Sequence, residues 1–130
     1  MKRLLDTHAF LWLLFAPEKL SETAIAACQD KENVLLLSVA SLWERQVKHP
    51  PGKRELDLPL PQIVREQTEG GQFTLLSINA KPVLAPGDLS LHHHDPFDRL
   101  LIAQARTESA RLVTADRVIR DYAAQVPLLW

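Results

Sequence analysis

The groups in this sequence whose type and placement suggest chemistry are four carboxylates: Asp6, Glu44, Asp98 and Asp116. Asp6 ends the apolar segment RLLD and Asp116 ends RLVTAD. Glu44 lies five residues after Val39, the last residue of the run VLLLSV, and Asp98 precedes the apolar part of PFDRLLIAQA. Like charges gathered in one site raise each other's pKa values unless a cation compensates them. Hard divalent ions such as Mg²⁺ or Mn²⁺ take oxygen ligands and complete their shell with water. Such an ion binds a phosphate oxygen, activates water and stabilises a leaving oxygen, so the implied chemistry is metal-assisted hydrolysis of a phosphodiester.

Apart from Asp6, which caps nothing obvious except the next helix, each acid also has a plainer reading. Asp95 before Pro96 has the pattern of a helix N-cap followed by proline at the first helical position. Asp98 is then the third helical residue, where an acid favours the helix dipole. Asp116 reads equally as the cap of a following helix, and Glu44 as a solvated helical charge. The case for chemistry rests on the conjunction of four acids from four distant segments. Thr7 and Thr114 stand beside two of them, either to fix carboxylates by hydroxyl hydrogen bonds or simply as β-branched residues at strand ends. Arg45, Arg99 and Arg117 each follow an acid directly. Neighbouring helical residues point about 100° apart, so these arginines are expected to ring the groove and meet phosphates, or to be ordinary surface charges. His92, His93 and His94 suggest a transition-metal site at first sight. In an extended loop, however, His92 and His94 share a side and His93 faces away, so the three do not readily chelate one ion.

The elements that must position these groups alternate along the chain. Strands are expected over Lys2–Asp6, Val34–Val39, Phe73–Ile78, Arg111–Asp116 and Val126–Trp130. Helices are expected through Phe10–Phe15, from Glu22 to about Gln29 with Ser21 as N-cap, and through Leu42–Val47 until His49-Pro50-Pro51 ends it. Further helices are expected from Gln62 to about Glu69, terminated by Gly70-Gly71, over Pro96–Thr107, and over Arg117–Ala124, with a short helical or irregular piece from Asn79 to Gly87. Alternating strands and helices imply a three-layer α/β domain with a mainly parallel central sheet. Ligands in such sheets bind beyond the carboxyl ends of the strands, which is where Asp6 and Asp116 fall. No repeat or linker divides residues 1–130, so one domain is expected.

Composition narrows the class. With 46% hydrophobic and 24% charged residues the chain is ordinary globular protein rather than disordered. Cys28 is the only cysteine, so no internal disulfide forms and a reducing, cytoplasmic location is expected. The basic, apolar start MKRLLDTHAFLWLL superficially resembles a signal peptide. Asp6 and His8 interrupt it, and its apolar run is far shorter than the roughly 20 residues of a membrane span. Net charge is −1, from 15 bases and 16 acids. With four acids neutralised by metal, 12 remain against 15 bases, a balance compatible with a phosphate backbone. Trp12, Trp43 and Trp130 lie in apolar surroundings and read as core or interface anchors.

The ordered set LLDTHAFLWLL, SVASLWE, HHHDPFDRLLIAQA and LVTAD resembles the PIN-domain ribonucleases, and more narrowly the VapC-type toxins of bacterial toxin–antitoxin pairs. The resemblance runs through nearly the whole chain. Carried over residue by residue, the family's acidic quartet falls on Asp6, Glu44, Asp98 and Asp116. It implies an Mg²⁺- or Mn²⁺-dependent endoribonuclease acting on RNA, and inhibition by a cognate antitoxin that occupies or covers the acidic groove. It also implies a homodimer or a heteromer with that antitoxin. After Glu44 the family usually runs into a Gly-Lys turn, whereas Arg45-Gln46 and the His49-Pro50-Pro51 break stand here, which bears on the shape of the nearby groove. The alternative is a catalytically weak PIN-like module that only binds RNA or protein. A phosphoacceptor domain is disfavoured because the third strand ends SINAK without an acid. P-loop and dinucleotide-binding motifs are absent.

Overall fold

Five apolar segments become strands: β1 (Lys2–Leu5), β2 (Val34–Ser38), β3 (Phe73–Leu76), β4 (Arg111–Val113) and β5 (Leu128–Leu129). The computed structural model describes residues 1–49, 58–84, 95–120 and 127–130. All strand pairs are parallel, in the order β3-β2-β1-β4-β5. In register, Leu4 stands beside Leu36 and Leu112, and Leu5 beside Leu37 and Val113.

Alternation along the strands divides their side chains between two cores. Leu5, Leu35, Leu37, Phe73 and Val113 face α1 (Thr7–Phe15), α2 (Glu22–Gln29) and Ile63 of α4 (Leu60–Glu69). Leu4, Leu36 and Leu112 face Leu101, Ile102 and Ala105 of α6 (Pro96–Glu108) and Ile119 of α7 (Arg117–Arg120). Helices therefore cover both faces, which is why VLLLS shows no polar alternation. Burying each central leucine contributes about 1.5–3 kcal/mol. Among the described residues the remaining helices are α3 (Val39–Lys48), α5 (Ala80–Val83) and the 3₁₀ turn Pro17–Lys19. Among the described residues no helix is long and apolar enough to cross a membrane.

The ends of the elements differ from the sequence expectation in ways that matter. β1 stops at Leu5, because Asp6 already caps α1. β2 stops at Ser38, whose hydroxyl accepts the Ala40 amide and starts α3 at Val39. β3 ends at Leu76 rather than Ile78, and β4 at Val113, three residues before Asp116. Ser21 caps α2 as expected, accepting from Ala24 N at 3.1 Å. The Gly70-Gly71 stop is also as expected, since a Cβ on Gly70 would lie 2.6 Å from the Glu66 carbonyl oxygen and Gly71 has φ of +82°. α4 starts two residues earlier than expected, at Leu60. Pro50, Pro51, His92, His93, His94 and the expected helix over 121–124 lie outside the described residues.

Candidate functional site

Asp6 sits where β1 turns into α1, and both its oxygens are engaged. Oδ1 accepts the Ala9 amide at 2.7 Å as the N-cap, and Oδ2 accepts the Thr114 hydroxyl at 2.5 Å. The residue is 8% exposed. That burial pushes its pKa up to about 6, against the downward pull of Thr114, the Ala9 amide and His8, with the nearby Asp98 charge adding to the rise. A carboxylate held here is costly unless something positive is close by.

Two helices bring further acids. Glu44 on α3 accepts the Thr7 hydroxyl at 2.7 Å on Oε1 and the Lys48 ammonium at 2.8 Å on Oε2. Asp95 caps α6 as its place before Pro96 suggests, with Oδ1 accepting from Phe97 N at 2.9 Å and Asp98 N at 3.3 Å. Its Oδ2 accepts from Lys48 at 3.0 Å. Partial burial works to raise the Asp95 pKa, but the Lys48 ammonium and the two amides outweigh it and hold the carboxyl below its ordinary value. Asp98 occupies the first turn of α6. One oxygen from each of Glu44, Asp95 and Asp98 lies within 4.8 Å of the others. This set fits a hard divalent cation: all the donors are carboxylate oxygens, they come from two helices, and an ammonium already lies against two of them.

Asp116 stands differently. It is exposed, and its Oδ1 accepts from Val118 N at 2.8 Å and Ile119 N at 3.5 Å, so it caps α7. It is not part of the Glu44–Asp95–Asp98 group. Its link to the other acids is Thr114, whose hydroxyl accepts the Asp116 amide at 3.0 Å while donating to Asp6. Thr7 and Thr114 therefore both bond to acids of the quartet. Arg45 and Arg99 are half-buried and engaged with neighbours, whereas Arg117 is exposed on α7.

Two participants were missed in the sequence. Asp95 reads from the sequence only as a cap, yet its second oxygen accepts from Lys48 and the residue belongs to the Glu44–Asp95–Asp98 group. Lys48 was not singled out, although Glu44 and Lys48 at i,i+4 form a recognisable helical pair. Trp43, read as a core or interface anchor, does not lie in the core: it is 60% exposed, because the helix that turns Glu44 toward the acids turns its neighbour outward. Trp43 meets Phe97 edge to face and lines a groove of about 530 Å³ between α3 and α4, with Val39, Leu42, Leu60 and Val64. Trp12 and Trp130 do pack against the core.

Comparison with known structures finds the same fold. A chain of VapBC2 from Rickettsia felis, solved bound to a DNA fragment from their promoter, superposes with a TM-score of 0.68 at 17% identity, covering 98% of this chain and 97% of that one. A chain of FitAcB from Neisseria gonorrhoeae gives 0.60 at 18% identity, covering 97% and 95%. One of FitAB bound to an IR36 DNA fragment gives 0.61 at 18%, covering 97% and 92%. No curated protein matches by sequence. The family model described as PIN domain matches residues 3–125. PIN domains are generally nucleases that use divalent metal ions, the chemistry that the carboxylate cluster suits. A match of that extent on a five-stranded parallel sheet of this order decides the assignment: the chain belongs to the PIN domain family.

Proposed function

We propose that this chain is a metal-dependent endoribonuclease, a VapC-type toxin held inactive by a cognate antitoxin. The observation that carries the reading is the convergence of Glu44, Asp95 and Asp98, each offering one oxygen within 4.8 Å of the others, beside the buried Asp6. Glu44, Asp98 and Asp6, with Asp95, would hold Mg²⁺ or Mn²⁺, and Asp116 would act from the rim beside Thr114. The bound ion would supply charge for the scissile phosphate and for the water that attacks it. Thr7 and Thr114 orient the Glu44 and Asp6 carboxylates by their hydroxyl bonds. The likeness to VapBC2 and FitAB chains supports an antitoxin partner, and exposed Trp43 with its apolar groove supports a protein contact, in a homodimer or with the antitoxin.

Cleavage of RNA by Asp98→Asn in Mg²⁺ tests the reading directly. A folded variant should lose about 100-fold or more in rate, at or beyond the top of the 10–100-fold that partners of metal ligands cost. Undiminished cleavage would remove the metal-site assignment. RNA bound but left uncut by the native chain in both metals would favour the binding-module alternative.

Arg45, Arg99 and Arg117 would meet substrate phosphates. Arg117→Ala and Arg99→Ala should each weaken RNA binding at low salt and reduce the slope of log K against log salt by about one. Filter binding over a salt series measures this, and an unchanged slope would take that arginine out of the interface.

A further inference from the structure

Lys48 holds a place that the catalytic reading leaves unexplained. Its ammonium lies 2.8 Å from Glu44 Oε2 and 3.0 Å from Asp95 Oδ2, and those two carboxylates with Asp98 form the donor group. A helical surface pair would need only Glu44, four residues away. Here the second carboxylate comes from another helix, 47 residues distant in sequence. The ammonium also lies 5.9 Å from the centroid of Phe97, which packs edge to face on Trp43, so α3 and α6 meet around it. Yet the Lys48 side chain remains 49% exposed, which leaves it a way out to water.

We propose that Lys48 is a built-in counter-cation of the site: it holds Glu44 and Asp95 together in the metal-free protein and gives up its place when a divalent cation binds. The inference rests on the metal-centre reading above and adds its regulation. The physical reason is competition for the same two carboxylates. Lys48 uses Glu44 Oε2 and Asp95 Oδ2, so a cation taking either must displace the ammonium or be repelled by it at short range. Lys48 thereby sets the metal concentration at which the site fills. With metal low, the carboxylates stay neutralised and in place; with metal high, the ammonium moves to the rim.

The test is Mn²⁺ titration by calorimetry on the full chain, comparing the native protein with Lys48→Met, Lys48→Gln and Lys48→Arg. Removing the charge should tighten Mn²⁺ binding about tenfold in both neutral variants, while Lys48→Arg stays close to native. The metal-free melting temperature should fall in the neutral variants, and the rise on adding Mn²⁺ should be larger than in the native chain. A merely structural pair would lower the melting temperature and leave the Mn²⁺ affinity unchanged within about twofold, which would overturn the proposal. Weaker Mn²⁺ binding in the neutral variants would overturn it as well, since Lys48 would then be assembling the ligands. Should folded native and variant chains all fail to bind Mn²⁺, the metal-centre reading falls and this proposal with it. Equal binding by all of them removes only the role of Lys48.

Discussion

Asp6→Asn should abolish cleavage and at the same time stabilise the metal-free protein near neutral pH. The two effects have one cause. Asp6 is buried with a pKa raised from 3.8 to about 6, so near neutral pH the folded chain carries a charge that its surroundings disfavour. Between those two values the folded state holds a proton that the unfolded chain has released. The contribution of this group to stability is therefore fully present below about 3.8, declines as pH rises through about 6, and is absent above it. A shift of that size corresponds to roughly 3 kcal/mol. Asparagine still caps α1, its oxygen accepting the Ala9 amide, and its amide group faces the Thr114 hydroxyl, which must then accept rather than donate. Allowing for that reversal, the variant should gain about 1–2 kcal/mol near neutral pH with metal stripped away, and the gain should vanish toward acid. Thermal melts with chelator across this pH range would read it directly. Parallel pH dependence in the two proteins would show that Asp6 does not carry the charge. In the native chain, added metal should recover the lost stability, whereas the variant should respond little. The two outcomes together would make Asp6 a stability–activity trade-off at one position.

What could be read from the residues, and what could not, follows from the range of the interactions. The strands were legible because each is a short apolar run, and their parallel pairing because helices intervene. That Asp6 stands at the carboxyl end of a strand was equally legible. The exact strand ends were not, since they depend on which hydroxyl turns inward. Thr114 donates to Asp6 across 108 positions of sequence, and this bond lies between the end of β4 and Asp116. Asp95 shows the limit of a local rule: capping explained one oxygen and left the other unasked about. Lys48 was visible as a partner of Glu44 at helical spacing, but its bond to Asp95 exists only after α3 and α6 pack together. The choice between core and interface for Trp43 has a related cause. Apolar neighbours fit either, and a helix that presents Glu44 to the acids cannot bury the adjacent ring on the same side.

The second large effect is expected at Gln104, which touches none of the acids. Its side chain is 1% exposed on α6, and its Oε1 accepts the Ser38 hydroxyl at 2.5 Å while Nε2 donates to the Ser77 carbonyl at 3.4 Å. Ser38 is also the N-cap of α3, accepting from Ala40 N at 3.0 Å. One buried amide thus ties the helix bearing Asp95 and Asp98 to the start of the helix bearing Glu44, and both to the end of β3. Along α6, Gln104 lies about 9 Å beyond Asp98, so a tilt or slide of the helix at this point is felt at the acids. Gln104→Leu keeps the bulk but leaves the Ser38 hydroxyl and the Ser77 carbonyl without these partners. A loss of about 2–4 kcal/mol in urea unfolding is expected, together with a drop in cleavage rate beyond the fraction unfolded. Ser38→Ala alone should cost about 1–2 kcal/mol through the lost cap. Combined with Gln104→Leu, it should cost less than the sum, because no hydroxyl then remains to be left unpaired. Strict additivity in that double-mutant cycle would mean that the two side chains do not act as a unit. Cleavage by Gln104→Leu that falls only in step with the fraction unfolded would show the bond holding the fold alone, with the carboxylates positioned by their own caps.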